Sequence, residues 1–441
     1  MLIDSQSRCR SSLKPCMRSC RIHSIETLES VDMDTVGRLT GMRDWRGADL
    51  NRANSMRARI GAATSAAGYI PIETPVLEQV ELFVRKSGGE ISSSLYSFTD
   101  ADGVKIALRP EFTSSVIRHY VENCEPDAGP MRFSYGGPVF RHDYGEGGAY
   151  RQFTQAGAEL VGDSSPAADA EILNLASECL RSAGLGDSVF TIGHLGLMHR
   201  VLESFRLSEP VKLFVIANLG RIAHGDGEIS DLLARAQTSG LINDGGELTF
   251  PGVDSDEQVQ EMLLTLFGDS LAAPLGRRTP EQIVARLVRK ARDATDPESF
   301  NAAVSLASEL GRLNGDPADV LDVAAEVLSK SQVQPDVLEE MRATITHLSD
   351  MGFPMSQTTL DLSFARGIAY YTGMVFEAHV TRGEDRVAVG GGGRYDDLVQ
   401  ALGGGNVPAL GFAFTIEQIL AANESLAAAR GVQADGSSND V

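Results

Sequence analysis

Phe140-Arg141-His142-Asp143-Tyr144-Gly145-Glu146-Gly147-Gly148-Ala149-Tyr150-Arg151-Gln152-Phe153-Thr154-Gln155 is the stretch on which the fold turns. It joins two long strand candidates, residues 132–143 and 150–161, through a loop with three glycines, the composition of a hairpin connection. Side chains of equal parity along a strand share a face, so Arg151, Gln155 and Glu159 project together, as do Arg141 and Asp143 on the preceding strand. Taken alone, such a face reads as the solvated side of an antiparallel sheet. The competing reading is a polar site, and other segments must decide between the two.

Working outward, Leu50, Ala53, Met56, Ile60, Ala63 and Ala67 recur at helical spacing, and Gly68 ends that run before the extended Ile70-Pro71-Ile72-Glu73-Thr74-Pro75. Residues 95–98 and 105–108 flank the turn Asp100-Ala101-Asp102-Gly103, and 113–124 return to helix. Beyond the hairpin, Ser165-Pro166 supplies a cap and a first-turn proline for a helix to Ala183, followed by a strand at 189–192. Residues 195–352 are Ala/Leu-rich and read as a mainly helical insertion. Strands resume near 358–362, 374–380, 386–389 and 408–414, and a final helix carries Ile416, Ile419, Leu420 and Leu426. The pattern predicts an α+β fold: an antiparallel sheet, discontinuous in sequence, flanked by helices. The expected organisation is a disordered extension over 1–36, a core in two parts (37–194 and 353–428), the insertion over 195–352 and a disordered tail over 429–441.

Composition narrows the function. Sixty acidic against 39 basic residues leave a formal charge of −21, which repels a phosphate backbone and disfavours tRNA or any other nucleic acid as partner. No run approaches the roughly 20 apolar residues of a membrane helix, and a cytoplasmic location is expected. Five cysteines, three of them at Cys9, Cys16 and Cys20, make no disulfide framework. No metal site is expected; a Cys16/Cys20 pair is a remote alternative, as is a translational start at Met33.

Three further segments bear on chemistry: Leu108-Arg109-Pro110-Glu111-Phe112-Thr113, Ala365-Arg366-Gly367-Ile368-Ala369-Tyr370-Tyr371-Thr372-Gly373 and Gly391-Gly392-Gly393-Arg394-Tyr395-Asp396. The glycine run has no following Lys-Ser/Thr and is no P-loop. It reads as a tight bend or a close backbone approach near a ligand.

In this order the segments, from Gly41-Met42-Arg43-Asp44 to Leu420, resemble histidyl-tRNA synthetase and its paralogues. The hairpin resembles the second motif of class II synthetases in its histidyl form. Arg366-Gly367 with Tyr370-Tyr371, and Gly392-Gly393-Arg394-Tyr395-Asp396, resemble the two histidine-specific signatures. The resemblance implies a class II synthetase-like core and a histidine pocket formed by Glu111, Thr113, Gln155, Glu159, Tyr371 and Tyr395. Carboxylates suit the α-ammonium group, and Gln, Glu or Tyr suit the imidazole nitrogens. Arg141 and Arg366 match the arginines that would stabilise the α-phosphate during activation, with Arg151 a further phosphate-binding candidate.

The activation apparatus departs from the family. In Thr415-Ile416-Glu417-Gln418, the counterpart of the third motif, Thr415 replaces the usual glycine and Gln418 the usual arginine. Ala149 stands where a basic loop residue is common, and Ala369 where an acid is. The sequence given ends soon after its last helix, short of an anticodon-binding domain of about a hundred residues. These features resemble the regulatory subunit of short-form ATP phosphoribosyltransferase. That implies L-histidine as ligand, a separate catalytic subunit as partner, a homodimer within a hetero-oligomer, no catalysis of its own and no cofactor. Two alternatives stay open: a histidine ligase that uses Mg-ATP, with Arg141 and Arg366 as its catalytic cations, and an interaction module that binds no ligand.

Overall fold

Strand pairing begins at the hairpin. In the computed structural model, β5 (Met131–Phe140) and β6 (Gln152–Val161) pair antiparallel over their whole length, with Gly137 opposite Gln155 and Phe133 opposite Glu159. The structure describes residues 36–85, 91, 93–125, 129–142, 150–223, 229–239, 241–242, 258, 261–262, 264–265, 297–331, 336–364, 370–382 and 385–436. The chain divides into a short unit, Met1–Leu39, whose described residues 36–39 are exposed, and one compact unit, Thr40–Val441.

Around the hairpin lies a nine-stranded sheet. It also contains β1 (Ile70–Pro71), β7 (Val189–His194), β8 (Asn314–Gly315), β9 (Thr358–Asp361), β10 (Met374–Arg382), β11 (Asp385–Arg394) and β12 (Ala409–Thr415), in the order β1-β5-β6-β12-β11-β10-β7-β9-β8. A second sheet of three strands, β2 (Leu77–Gln79), β3 (Ser97–Thr99) and β4 (Lys105–Leu108), is ordered β2-β4-β3. The large sheet is mixed rather than wholly antiparallel: β1 runs parallel to β5, and β7 runs parallel to β9. Both parallel pairs join segments separated by long connections that include helices, as parallel pairing requires.

The helices cover this sheet for reasons visible in their ends and faces. Helix Pro166–Ser182 starts at Ser165, whose side chain accepts from the Ala168 N–H, with Pro166 in the first turn. Its buried face (Ile172, Leu173, Leu175, Ala176, Cys179, Leu180) packs against helices Gly47–Ala66 and Asp336–Asp350. Burying each large aliphatic side chain contributes about 1.5–3 kcal/mol. The stretch 195–352 is therefore not set apart from the core. One of its helices packs on the core, and its two-residue strand Asn314–Gly315 adds an edge to the large sheet beside β9. The last helix, Ile416–Gly436, runs past residue 428, where the sequence pattern ends the core; residues 437–441 lie outside those described.

The glycine run forms strand rather than a turn, with a register shift in the β10–β11 pairing just before it, opposite Ala378 and His379. Gly390, Gly391, Gly392 and Gly393 lie within β11, between β10 and β12. What it permits is close approach: a Cβ on Gly392 would sit 1.9 Å from the Gly411 carbonyl oxygen and 2.7 Å from the Phe412 Cα. At the end of β11, the buried Arg394 guanidinium donates from Nε to Asp169 Oδ1 (3.0 Å) and from an Nη to the Asp163 carbonyl (2.9 Å). This ties the sheet to the start of helix Pro166–Ser182. Burial raises the Asp169 carboxyl to about 6, against the opposing pull of the Arg394 charge. No helix among the described residues is long and apolar enough to cross a membrane.

Candidate functional site

Register places the polar residues on one sheet face. Gln155 lies opposite Thr415 and Glu159 opposite Gly411 in the β6–β12 pairing, and Gly411 in turn faces Gly393 of β11. Over this face come Glu111, just before helix Thr113–Asn123, Thr113 at the start of that helix, and the segments bearing Tyr370, Tyr371 and Tyr395. Together they line a cavity of about 240 Å³, walled by Glu111, Thr113, Arg141, Phe153, Gln155, Tyr370, Tyr371 and Tyr395, with glycine backbone of β11 and β12 as its floor. The hairpin face is thus a pocket wall, and the solvated-face reading fails for Gln155 and Glu159, which are 7% and 0% exposed.

Glu159 lies buried behind the wall formed by Thr113 and Tyr395. Its Oε1 accepts from Thr113 Oγ1 (2.7 Å) and from the Tyr135 hydroxyl (2.9 Å), and its Oε2 accepts from the Tyr395 hydroxyl. Burial raises its carboxyl from the ordinary 4.5 to about 8, although all three hydroxyls oppose the rise. Glu111, whose carboxylate accepts from the Ser114 N–H (3.2 and 3.1 Å), is likewise raised by burial. Gln155 Oε1 is buried without a hydrogen-bond partner among the described residues. Such an atom carries a desolvation cost of about 1–3 kcal/mol until a donor meets it. Tyr370, Tyr371 and Tyr395 close one side as a ring cluster with centroids 5.2–6.4 Å apart. Two carboxyls and an amide oxygen thus offer acceptors to a small ligand rich in N–H donors.

Arg141 is the one cation among the described lining residues. Its Nε donates to the Pro110 carbonyl (3.1 Å), and its guanidinium lies 5.3 Å from the centre of the Phe153 ring. Arg151 shares the parity of Gln155 but is not in the cavity wall. Its side chain packs against Gly41, where a Cβ would come within 2.8 Å of its Cγ, and its N–H donates to the Gly41 carbonyl (2.7 Å). Gly41 has the positive φ, +79°, that this approach needs. Gln418 is exposed on the first turn of the last helix, next to Glu417, whose carboxylate accepts from the Thr154 N–H (3.0 Å). Arg366, Asp143, Ala149 and Ala369 lie outside the described residues.

A model of the family described as "Histidyl-tRNA synthetase" matches residues 41–241 and 264–419, more than half of the chain. This chain belongs to the histidyl-tRNA synthetase family. Among its relatives are proteins named "Histidine--tRNA ligase" from Pyrobaculum arsenaticum, 31% identical over 387 residues (87% of this chain, 74% of that one), and Methanocaldococcus jannaschii, 31% identical over 383 residues (86% and 74%). A solved structure of an ATP phosphoribosyltransferase regulatory subunit/histidyl-tRNA synthetase from Bacillus halodurans C has a TM-score of 0.63 at 21% identity, covering 91% of this chain and 90% of that one; it shares the fold. A histidine--tRNA ligase subunit from Alicyclobacillus acidocaldarius gives a TM-score of 0.56 at 26% identity, covering 89% and 98%. The α+β class II synthetase-like architecture expected from the sequence is the one this family member has.

Sequence reasoning did not assign Tyr370, Phe153 or Tyr135 to the site of this family member. Tyr370 was legible as half of a tyrosine doublet, whereas Tyr135 has no local signal because its role depends on strand pairing. The Glu159 environment has a measurable consequence. A carboxyl raised on folding binds more protons in the folded state between pH 4.5 and about 8, so stability falls as pH rises through that window. Glu159→Gln, which cannot ionise, is expected to flatten this part of the profile. Thermal melting of ligand-free protein between pH 6.5 and 8.5 checks it, and parallel slopes for wild type and variant would contradict it.

Proposed function

We propose that this chain is a histidine-sensing regulatory protein, the regulatory subunit of an ATP phosphoribosyltransferase. On this reading it assembles as a homodimer within a hetero-oligomer, is required by a separate catalytic subunit and conveys feedback by L-histidine. The observation that carries the reading is the make-up of the cavity: Glu111 and Gln155 as acceptors in its wall, with Glu159 bonded to the wall residues Thr113 and Tyr395 from behind, against the single cation Arg141 among its described lining residues. Histidine supplies the complement, an ammonium group and a ring N–H as donors and a carboxylate for Arg141. An analogue that lacks one of these N–H donors leaves a buried acceptor such as Gln155 Oε1 unmet, which is the stronger kind of discrimination.

ATP fits these residues less well. A triphosphate needs several preorganised cations, and Gln418 supplies none at the position where the family offers an arginine. The chain therefore holds its ligand without adenylating it. Feedback requires that histidine bind the inhibited and active states of the complex with different affinities, whatever the path between the sites.

The curated relatives named as ligases, together with Arg141 in the pocket, favour histidine activation as a second reading. ATP/pyrophosphate exchange separates the two. Exchange at background level is expected with and without histidine; histidine-dependent exchange would overturn the regulatory reading and restore the ligase.

A further inference from the structure

In its ionised form, which an N–H donor of a bound ligand favours, Glu159 has two oxygens and about four acceptor positions. Oε1 uses two of them, on Thr113 and Tyr135, and Oε2 uses one on Tyr395. One position therefore stays open, on Oε2. The absence of a side chain on Gly411, a residue of the cavity wall, is what lets Oε2 come so near the cavity: a Cβ there would lie 1.6 Å from Oε2. Thr113 and Tyr395 are themselves cavity walls, but Tyr135 is not. It comes from β5 on the far side of Glu159, is 7% exposed, and stacks on Phe112 with centroids 4.5 Å apart and planes 9° from parallel. Its hydroxyl also lies 3.2 Å from the Phe412 carbonyl, so ring and oxygen are both fixed.

We infer that Tyr135 is a positioning residue for the ligand-reading carboxylate: with Thr113 it fills Oε1, turning the remaining acceptor position of Oε2 toward the cavity for one N–H of the ligand. This inference rests on the histidine reading of the pocket. Without the Tyr135 hydroxyl, Oε1 keeps a desolvated lone pair, and the carboxylate loses a reason to hold its rotation. The groups acting on Glu159 are Thr113 from the helix behind the pocket, Glu111 from the turn before it, Tyr135 from β5, Tyr370 and Tyr395 from the segments flanking β10 and β11, and, more distantly, Tyr69. Glu111 opposes ionisation of Glu159, whereas the Tyr135, Thr113 and Tyr395 hydroxyls favour it.

Tyr135→Phe in the full-length chain tests the inference, because it keeps the stacked ring and removes only the hydroxyl. Two quantities are read: histidine affinity by calorimetry, and the titration of Glu159 by carbon NMR of carboxyl-labelled glutamate, its signal assigned by its loss in Glu159→Gln. A loss of affinity of about ten-fold or more is expected, the scale of one hydrogen bond to a charged group. The Glu159 midpoint should move upward, since a donor to the charged form has gone. Phe112→Leu serves as the packing control: it disturbs the stack, keeps every hydroxyl and should leave the midpoint in place. Wild-type affinity and an unmoved midpoint in Tyr135→Phe would overturn the inference while leaving the histidine pocket intact. So would equal midpoint shifts in both variants, which mark a packing role alone. Failure of the wild type to bind histidine would overturn the pocket reading and this inference with it.

Discussion

Replacing Gln155 and Glu159 together by alanine is expected to weaken histidine binding by at least about 100-fold, since each change removes a buried acceptor worth roughly 1.5–3 kcal/mol to a charged or strongly polar donor. Both side chains sit on β6 beside β12; Gln155 lines the cavity, and Glu159 lies buried behind its walls Thr113 and Tyr395. On the proposed regulatory reading, the double variant should lose feedback by histidine and still assemble with a catalytic transferase subunit. Calorimetry reads the first effect and sedimentation of the mixed subunits the second. Loss of assembly together with loss of binding would instead mean that these residues hold the fold.

Gly392→Ala is expected to cost about 3 kcal/mol of stability, the upper end of the usual range for forcing an atom into a packed core. The added Cβ would meet the Gly411 carbonyl oxygen at 1.9 Å and the Phe412 Cα at 2.7 Å. Both obstacles are backbone, so no side chain can swing aside, and β11 and β12 would have to separate beneath the ligand pocket. Chemical denaturation with and without histidine gives the cost. A change under about 0.5 kcal/mol, the size of an ordinary surface substitution, would contradict the close pairing of these strands.

The β5–β6 hairpin was legible because strand alternation and a glycine-rich loop are local signals, and the structure pairs the two strands in full. The six residues assigned to the ligand by resemblance, Glu111, Thr113, Gln155, Glu159, Tyr371 and Tyr395, come from four separate segments. Five line one cavity, and Glu159 bonds to two of them from behind. Of the two readings of the glycine run, a tight bend or a close backbone approach, the structure has the second, because glycine has one local meaning, freedom of φ, and another that only tertiary packing selects, room for a neighbouring strand. The parallel pairings β1–β5 and β7–β9 were missed because they join segments far apart in sequence, where no periodicity records a partner. Parity alone grouped Arg151 with Gln155, but Arg151 precedes the first residue of β6 and packs against Gly41 instead.

On the proposed reading, the cavity over β6, β11 and β12 binds histidine without activating it. Calorimetric titration of the purified chain with histidine, followed by ATP and magnesium in the presence of histidine, tests it most directly. The account predicts saturable histidine binding, no heat of ATP binding and no pyrophosphate release. Histidine and ATP binding together with pyrophosphate release would contradict it and make this chain a ligase.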